Sequence, residues 1–527
     1  MNADEVTPQD LLGTITLILD QLDHDKEEKH DAEVKQGMAT DLLQMLHKTL
    51  LQSGDQMYRS RLGRSRALRV SVLCSALEMV FRCSPTTMKA YIDTKPAEML
   101  PTFLTLIEIF ISRTGSSTVR EVVLNKTARI LNRLCNNGIS IEKDLVEALL
   151  VLVNADLSTD TRIDASCALA SLAARRNNKQ SILQKIKPAS RSLLSTLTTA
   201  ASSLPENQAE DIFDALVNLA SSMDIVLVHT ARRACTLRVL CQGMKAVKPE
   251  LRHSSFMIAK ILLRCNHSFV ELFSIKPVNG RILLQGLTTA VLNEDETEMQ
   301  HYVTCILTET LANMNSSLDH IEMITDSLAV VACAATQQRT AIEAGLALCN
   351  KASALEEPSG YRANVFLTVA DLARCSSRLV RGEALRALGK LCARESTRRF
   401  LAQQNCFQQA IVSNITNGND ESVSTAIAIL VQLACEPEHR ETICRTTLLE
   451  ALVDMLTKKS LGNRTAYMSG VQLLLLLMSD DSNVNCFLQF GELLPWLAAL
   501  ANSTTSSNQF KKDMVDAIIR LTSTILE

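Results

Sequence analysis

Residues 215–220 have the sequence Ala-Leu-Val-Asn-Leu-Ala, and variants of this phrase recur along the chain. Its pattern is a small or apolar residue, Leu, two further residues, Leu, and then usually Ala or Cys. In the six clear copies the second leucine is Leu134, Leu172, Leu219, Leu391, Leu433 or Leu477. The gaps are 38, 47, 172, 42 and 44 residues, and weaker copies near Leu263, Leu311 and Leu348 divide the long gap. A period of about 40–47 residues with helical patterning predicts a stacked array of helices.

The composition of the 527-residue chain independently favours an all-α fold. It contains only 17 Gly and 11 Pro, and aromatic residues make up 4% while apolar residues make up 46%. Since β-rich folds need many tight turns, this scarcity of turn formers argues against them. One hydrophobic core rarely grows past about 250–300 residues, so the chain forms either several domains or an extended solenoid.

The phrase at 215–220 resembles the third helix of an armadillo repeat, and the resemblance covers residues 70–520 at the level of the armadillo/HEAT class. It implies a right-handed α-solenoid of about nine to eleven degenerate repeats that binds an extended protein segment in a concave groove. We predict three regions. They are an N-terminal helical segment at 1–52 with a charged loop, an Arg-rich junction at 53–69, and an armadillo-like solenoid at 70–527.

In the armadillo family, an Asn just before the last Leu of the phrase faces the groove and binds the peptide backbone. Asn218 retains this residue, whereas the other copies carry Arg133, Ser171, Lys390, Gln432 and Leu476. The tryptophan ladder of nuclear import adaptors is missing, because Trp496 is the sole Trp. The resemblance therefore does not extend to the binding of basic localisation signals.

Basic residues occupy the corresponding positions of two copies. Arg386, Lys390 and Arg394 are spaced i, i+4 and i+8, which predicts one face of a helix, and Arg129 and Arg133 match Arg386 and Lys390 in the phrase. A groove with these charges favours an acidic or phosphorylated segment. Replacement of Arg386, Lys390 and Arg394 by glutamate is therefore predicted to abolish binding of that segment. The alternative is a solvated polar face, which most charge runs form.

Three other features have structural interpretations that we favour. Five arginines between Arg59 and Arg69 predict an exposed helix start or a phosphate-binding patch. The segment from Cys435 to Cys444 has candidate metal ligands at spacings unsuited to zinc, and Pro437 predicts an inter-helix loop there. Cysteines that follow a core Leu, such as Cys135, Cys241, Cys349 and Cys392, predict packing as small apolar residues.

The last helix is predicted to close the array. From Asn508 to Leu526, apolar residues recur at i, i+4, i+7 and i+11, and they are Met514, Ile518, Leu521 and Ile525. Terminal solenoid repeats need such a capping element, so its removal is predicted to cause aggregation or dimerisation.

The remaining features of the sequence limit the classes of function that the protein can have. Nucleotide-binding, metalloprotease and nucleophile-elbow motifs are not found in the sequence, so we expect a non-enzymatic scaffold or adaptor without a cofactor. A formal charge of −3 argues against a nucleic-acid partner. We expect no signal peptide or membrane anchor. Without a signal peptide the sixteen cysteines are expected to be reduced thiols, and this predicts a cytoplasmic or nuclear location. An armadillo-type co-chaperone or nucleotide-exchange regulator is the alternative, followed by an enzyme with an unconventional site.

Overall fold

The structure is a computed structural model, and it describes the residues in the following ranges: 29–51, 61–83, 96–111, 118–137, 143–174, 179–294, 296–314, 318–334, 338–354, 361–458, 464–503 and 508–526. Residues 1–28 of the N-terminal segment predicted at 1–52 lie outside them. Contacts between Cα atoms divide the chain into two compact units, Met1–Leu283 and Leu284–Glu527.

The first unit consists of α-helices, with short 3₁₀ and π segments at Lys187–Ala189 and Glu271–Ile275. Its helices are α1 Lys29–Leu51, α2 Arg61–Cys83, α3 Pro96–Ile111, α4 Thr118–Asn136, α5 Lys143–Asn154, α6 Thr159–Ala174, α7 Lys179–Ile186, α8 Ser190–Ser203, α9 Glu206–Ser222, α10 Asp224–Arg232, α11 Ala234–Gly243, α12 Pro249–Arg264 and α13 Asn266–Val270. Helix α14, Pro277–Asn293, contains the boundary between the units.

The regular elements among the described residues of the second unit are all α-helices. Its helices are α15 Thr297–Asn313, α16 Leu318–Ala334, α17 Gln338–Ala354, α18 Tyr361–Leu372, α19 Arg378–Cys392, α20 Glu395–Ala402, α21 Asn405–Asn417, α22 Asp420–Ala434, α23 Pro437–Cys444, α24 Thr447–Lys458, α25 Arg464–Met478, α26 Asp481–Phe487, α27 Leu493–Ser503 and α28 Asn508–Leu526.

Helices one repeat apart pack side by side in rows. In the first unit α2, α4, α6, α9 and α12 form one row, and in the second unit α15, α17, α19, α22 and α25 form another, which we call the long-helix row. A second row of the second unit contains α16, α18, α21, α24 and α27. From α7 to α14, and again from α19 onward, short helices precede the longer ones, as in armadillo repeats, whereas α1–α6 and α15–α18 alternate in pairs, as in HEAT repeats. The fold is therefore the predicted all-α solenoid of armadillo/HEAT type.

The recurring leucines are the contacts between neighbouring repeats. The six leucines of the clear phrase copies are at most 2% exposed, and Leu311 and Leu348 of the weaker copies are at most 1% exposed. Each lies in the second half of a helix that belongs to a row. Helices so poor in aromatic residues pack closely through Ala, Leu and Cys, and Cys135, Cys349 and Cys392 are buried as predicted, while Cys241 is half-buried.

In the second unit, a polar side chain from each of the short helices α20, α23 and α26 binds the C-terminal end of the preceding long helix. Arg398 donates to the Cys392 carbonyl at 2.8 Å, and one repeat later Arg440 donates to the Ala434 carbonyl at 2.7 Å. Asn483 makes the corresponding bond to the Leu477 carbonyl at 3.5 Å. Because the last carbonyls of a helix have no intrahelical donor, these bonds stabilise each turn between repeats.

Two sequence predictions about local structure need correction. The boundary at residue 69 falls inside α2, which begins at Arg61, while Arg59 lies outside the described residues. Pro437 starts the short helix α23 rather than a loop, because proline is tolerated in the first helical turn, where no backbone donor is needed.

Among the described helices, none is by itself long and apolar enough to cross a membrane. One bent pair, Gln208–Ser222 with Asp224–Arg232, meets that criterion by length and composition only.

Candidate functional site

Helix α19 presents a basic stripe on the exposed side of the long-helix row. Arg378, Gly382, Arg386 and Lys390 follow one another at intervals of four residues, and the three cations are exposed. Ser377 caps the helix by accepting a hydrogen bond from the Val380 backbone amide at 3.5 Å. The opposite side, with Ala384, Leu388 and Leu391, is fully buried. The amphipathic spacing therefore directs the charges of α19 outward.

The charges of this stripe are not equivalent. Arg386 is paired with Glu383 on its own helix and with Glu421 on α22, the latter at 3.3 Å. For Arg378 and Lys390 the structure shows no ion pair with any described residue. The stripe consequently has one neutralised cation between two cations that are available to a ligand.

A shallow cavity of about 280 Å³ lies between the first turns of α19 and α22. The residues that line it are Arg378, Leu379, Gly382, Leu385, Arg386, Asn419, Glu421, Ser422 and Thr425. Gly382 leaves open space, because a Cβ atom built there would meet nothing within 4 Å. Apolar Leu379 and Leu385 beside Arg378 give the cavity both a hydrophobic and a charged surface.

The first turns of the next two helices expose Asp420 and Glu421 on α22 and Arg464 on α25, and after these turns neither helix carries a charged residue. Gln432 lies half-buried on α22, and its Oε1 atom has no hydrogen-bond donor among the described residues. Gln472 is exposed on α25, and Leu476 beyond it is half-buried. Beyond those first turns, the surface therefore changes from basic on α19 to uncharged on α22 and α25.

Arg394 does not belong to the stripe. Helix α19 ends at Cys392, and Arg394 has an extended backbone at the N-cap of α20 with φ −100° and ψ 132°. Its guanidinium donates to the Ser353 carbonyl of α17 at 3.5 Å. The predicted helical face at i, i+4 and i+8 thus ends at Lys390, and Arg378, two turns before Arg386, takes the place of Arg394.

In the first unit, Arg129 and Arg133 hold neighbouring helices together. Arg129 pairs with Asp160 at 3.7 Å and Asp164 at 3.2 Å on α6. Arg133 pairs with Glu78 on α2 at 3.5 Å, and Lys126 pairs with the same buried carboxylate. These guanidinium groups are therefore engaged within the stack, unlike Arg378 and Lys390.

Asn218 lies half-buried on α9 in acidic surroundings rather than basic ones. On the same helix, burial and the neighbouring Asp214 and Glu210 carboxylates raise the pKa of Asp211. The Ser254 hydroxyl of α12 donates to Asp214 at 2.8 Å. The basic positions of the sequence pattern therefore do not form a continuous basic surface in the first unit.

The carboxyl group of Asp164 makes this part of the protein sensitive to pH. Burial raises its pKa to about 6, and Arg129 and Asn132 oppose the shift only in part. A carboxyl whose pKa is higher in the folded state than in the unfolded state contributes stability below the unfolded pKa and loses it as the pH rises through about 6.

We therefore expect acidification from pH 7 to pH 4 to stabilise the wild type relative to Asp164→Asn, which cannot titrate. Urea unfolding of both proteins across this range measures the difference. A difference in the free energy of unfolding that is constant with pH would contradict the raised pKa.

Sequence reasoning missed the acidic partners of these arginines. Both Arg129–Asp164 and Arg386–Glu421 join residues 35 positions apart. A search for opposite charges separated by slightly less than one repeat would have found them. It would also have distinguished the paired cations from Lys390.

The described residues contain no cluster of three or more His, Cys, Asp or Glu side chains that could hold a metal ion. His439 is buried against Glu436, while Cys435 is exposed and Cys444 is buried. Burial also raises the pKa of the Cys349 and Cys392 thiols to about 12, which makes them unreactive at neutral pH.

No protein-family model and no curated protein matches the chain. Among solved structures, it is similar to an engineered protein from a structural genomics consortium, with 18% identity, 80% of this chain and 98% of that chain covered, and a TM-score of 0.39. It is also similar to a designed armadillo repeat protein, with 15% sequence identity and a TM-score of 0.31. This similarity covers 45% of the present chain and 99% of the designed one. A third similar structure is that of Kap95p, whose binding induces the switch loops of RanGDP to adopt the GTP-bound conformation. The sequence identity is 14% and the TM-score is 0.40, and the similarity covers 98% of the present chain and 67% of the other. These similarities assign no function.

Proposed function

We propose that the protein is a non-enzymatic scaffold that binds an extended protein segment on the long-helix row, with acidic or phosphorylated side chains against α19. The observation that carries the proposal is the exposed stripe with two cations, Arg378 and Lys390, that have no ion pair with described residues. Between them lies the cavity that Gly382 leaves open toward α22.

The chemistry of the surface supports this ligand class. A carboxylate or phosphate gains charge-assisted hydrogen bonds from Arg or Lys, and these are about twice as strong as neutral ones. Free cations gain the most, because a cation that already has a carboxylate partner must exchange it. Arg378 and Lys390 therefore contribute more than Arg386.

The spacing of the cations supports an extended ligand. Twelve positions separate Arg378 from Lys390 on one helix, which at 1.5 Å per residue is about 18 Å. An extended chain spans that distance in about five or six residues. The ligand would thus run along the stripe of α19 with acidic residues near both ends of the segment.

The open shape of the described cavities supports a binding role over a catalytic one, since enzymes usually enclose their substrates in deeper pockets. The described cysteines are free thiols, which supports a cytoplasmic or nuclear location as part of the proposal.

The double variant Arg378→Glu/Lys390→Glu is expected to weaken binding of an acidic segment more than tenfold. Suitable probes are a fluorescent peptide of alternating Glu and Ser and the same peptide with phosphoserine, because their comparison separates carboxylate from phosphate recognition. Fluorescence anisotropy with the full chain measures the dissociation constant at low and physiological salt.

The matched control is Arg238→Glu/Arg281→Glu, which changes the net charge equally at exposed positions of α11 and α14. It should bind as the wild type does. Equal loss of binding in both double variants would show that overall charge is responsible, and unchanged binding in Arg378→Glu/Lys390→Glu would refute the proposed site. Arg394→Glu should have little effect, since Arg394 lies beyond the helix.

A further inference from the structure

A second groove lies at the C-terminal end of the long-helix row, between its last helix, α25, and helix α28. These two helices pack less extensively against each other than neighbouring helices within the row do, and the groove between them has a volume of about 540 Å³. Its size falls within the range of about 300–1,000 Å³ that is typical of ligand-binding clefts. None of the residues of the α19 cavity lines it.

Helix α28 faces α25 across this groove. The lining residues of α28 are Gln509, Phe510, Asp513, Asp516, Ala517 and Arg520, and those of α25 are Gln472, Leu475, Leu476 and Met478.

The groove has an apolar floor. Leu475 of α25 and Phe510 and Ala517 of α28 are at least nine-tenths buried and line it, and half-buried Leu476 lies beside them. These side chains offer a place for an apolar group, whose burial contributes roughly 1.5–3 kcal/mol for a residue of the size of Leu.

The rim of the groove is acidic. Asp513 and Asp516 are exposed on α28, and Asp516 has no ion pair with a described residue. Asp513 accepts a hydrogen bond from Gln509 at 2.8 Å, which leaves its charge uncompensated. The one cation of the lining, Arg520, is already paired with Asp481 at 2.6 Å and donates to the Ser479 carbonyl.

We propose that the groove between α25 and α28 binds a protein segment in which an apolar side chain is flanked by Lys or Arg. The apolar side chain enters the floor, and the basic side chains reach Asp513 and Asp516. Arg520 closes one end, because it ties α28 to the C-terminal end of α25. This site extends the proposed function to a partner segment whose charge is opposite to that of the α19 ligand. Because the two sites share no residues, this proposal does not depend on whether the α19 stripe binds an acidic segment.

The test uses the full chain and a fluorescent peptide of alternating Leu and Arg, with a Leu–Glu and a Ser–Arg peptide as comparisons. The Leu–Arg peptide should bind more tightly than either of the others. Asp513→Lys/Asp516→Lys should weaken its binding at least tenfold. Gln472→Trp should have a similar effect without any change of charge, because Gln472 is exposed at the groove and an indole would fill it.

The charge-matched control is Asp41→Lys/Glu108→Lys, which alters exposed positions within α1 and α3. It should leave the affinity unchanged, as should Arg378→Glu/Lys390→Glu, so that failure of one site is distinguishable from failure of the other. The proposal is overturned if the Leu–Arg peptide binds equally well to the groove variants, or if the Leu–Glu peptide competes equally. Concentration-dependent dimerisation that Gln472→Trp abolishes would also overturn it, since a second copy would then occupy the groove.

Discussion

Deletion of residues 508–527, which removes α28, is expected to make the protein aggregate or dimerise. Helix α28 begins at Asn508 and ends at Leu526, as predicted, and packs on α26 and α27. Its buried side chains include Phe510, Met514 and Leu521, which are at most 8% exposed. Each contributes about 1.5–3 kcal/mol through burial, and the deletion also uncovers their partners on the two preceding helices.

Light scattering coupled to size-exclusion chromatography checks this expectation. The matched control is Val515→Lys/Ile519→Lys in the intact chain, because these side chains are 46% and 56% exposed on the outward side of α28. That variant should remain as soluble as the wild type. A deletion variant that elutes as a soluble monomer would show that the row does not need its terminal helix.

The substitution Gly243→Ala is expected to destabilise the first unit by about 1–3 kcal/mol, the range for overpacking of a well-packed core. A Cβ atom at this position would lie 2.2 Å from Ser255 Oγ and 2.7 Å from the ring of Phe213. Both neighbours are buried, and the Ser255 hydroxyl donates to the Leu251 carbonyl at 2.8 Å, so neither moves away without loss. Thermal and urea unfolding of the full chain, with hydrogen exchange to locate the change, measures the effect.

Gly382→Ala is the matched control, and its effect should have the opposite sign. Gly382 lies inside α19 and would meet nothing within 4 Å of a new Cβ. Since Gly in a helix interior costs about 0.5–1 kcal/mol relative to Ala, this variant should be more stable than the wild type. Equal destabilisation by both substitutions would contradict the packing difference between the two glycines.

The repeat architecture could be predicted from the sequence because it depends on local periodicity. The leucines of the recurring phrase lie on one face of each helix, and that face must be buried against the next repeat whatever the partner helix is. The terminal helix was predictable for the same reason, since Met514 and Leu521 occupy its inner stripe and are buried. The predicted boundary at residue 69 falls inside α2, because the arginines after residue 60 occupy the first turns of that helix.

The candidate site was predictable only in part, because ion pairs join residues from different repeats. Spacing within one helix correctly placed Arg386 and Lys390 on a common face. It gave no sign that Glu421 of the next repeat neutralises Arg386, or that Asp164 and Glu78 engage Arg129 and Arg133. Nor did it show that α19 ends before Arg394, since Cys392 and Ala393 are both compatible with a helix.

The all-α array of armadillo/HEAT-type repeats, with leucine-rich contacts between them, follows from the amino-acid sequence alone, since helical amphipathicity is a property of consecutive residues. Which cations are available to a ligand, and where a groove opens beyond α25, follow from the three-dimensional packing. Charge pairing and side-chain fit depend on the distance between residues about one repeat apart, and that distance is set by how neighbouring helices pack.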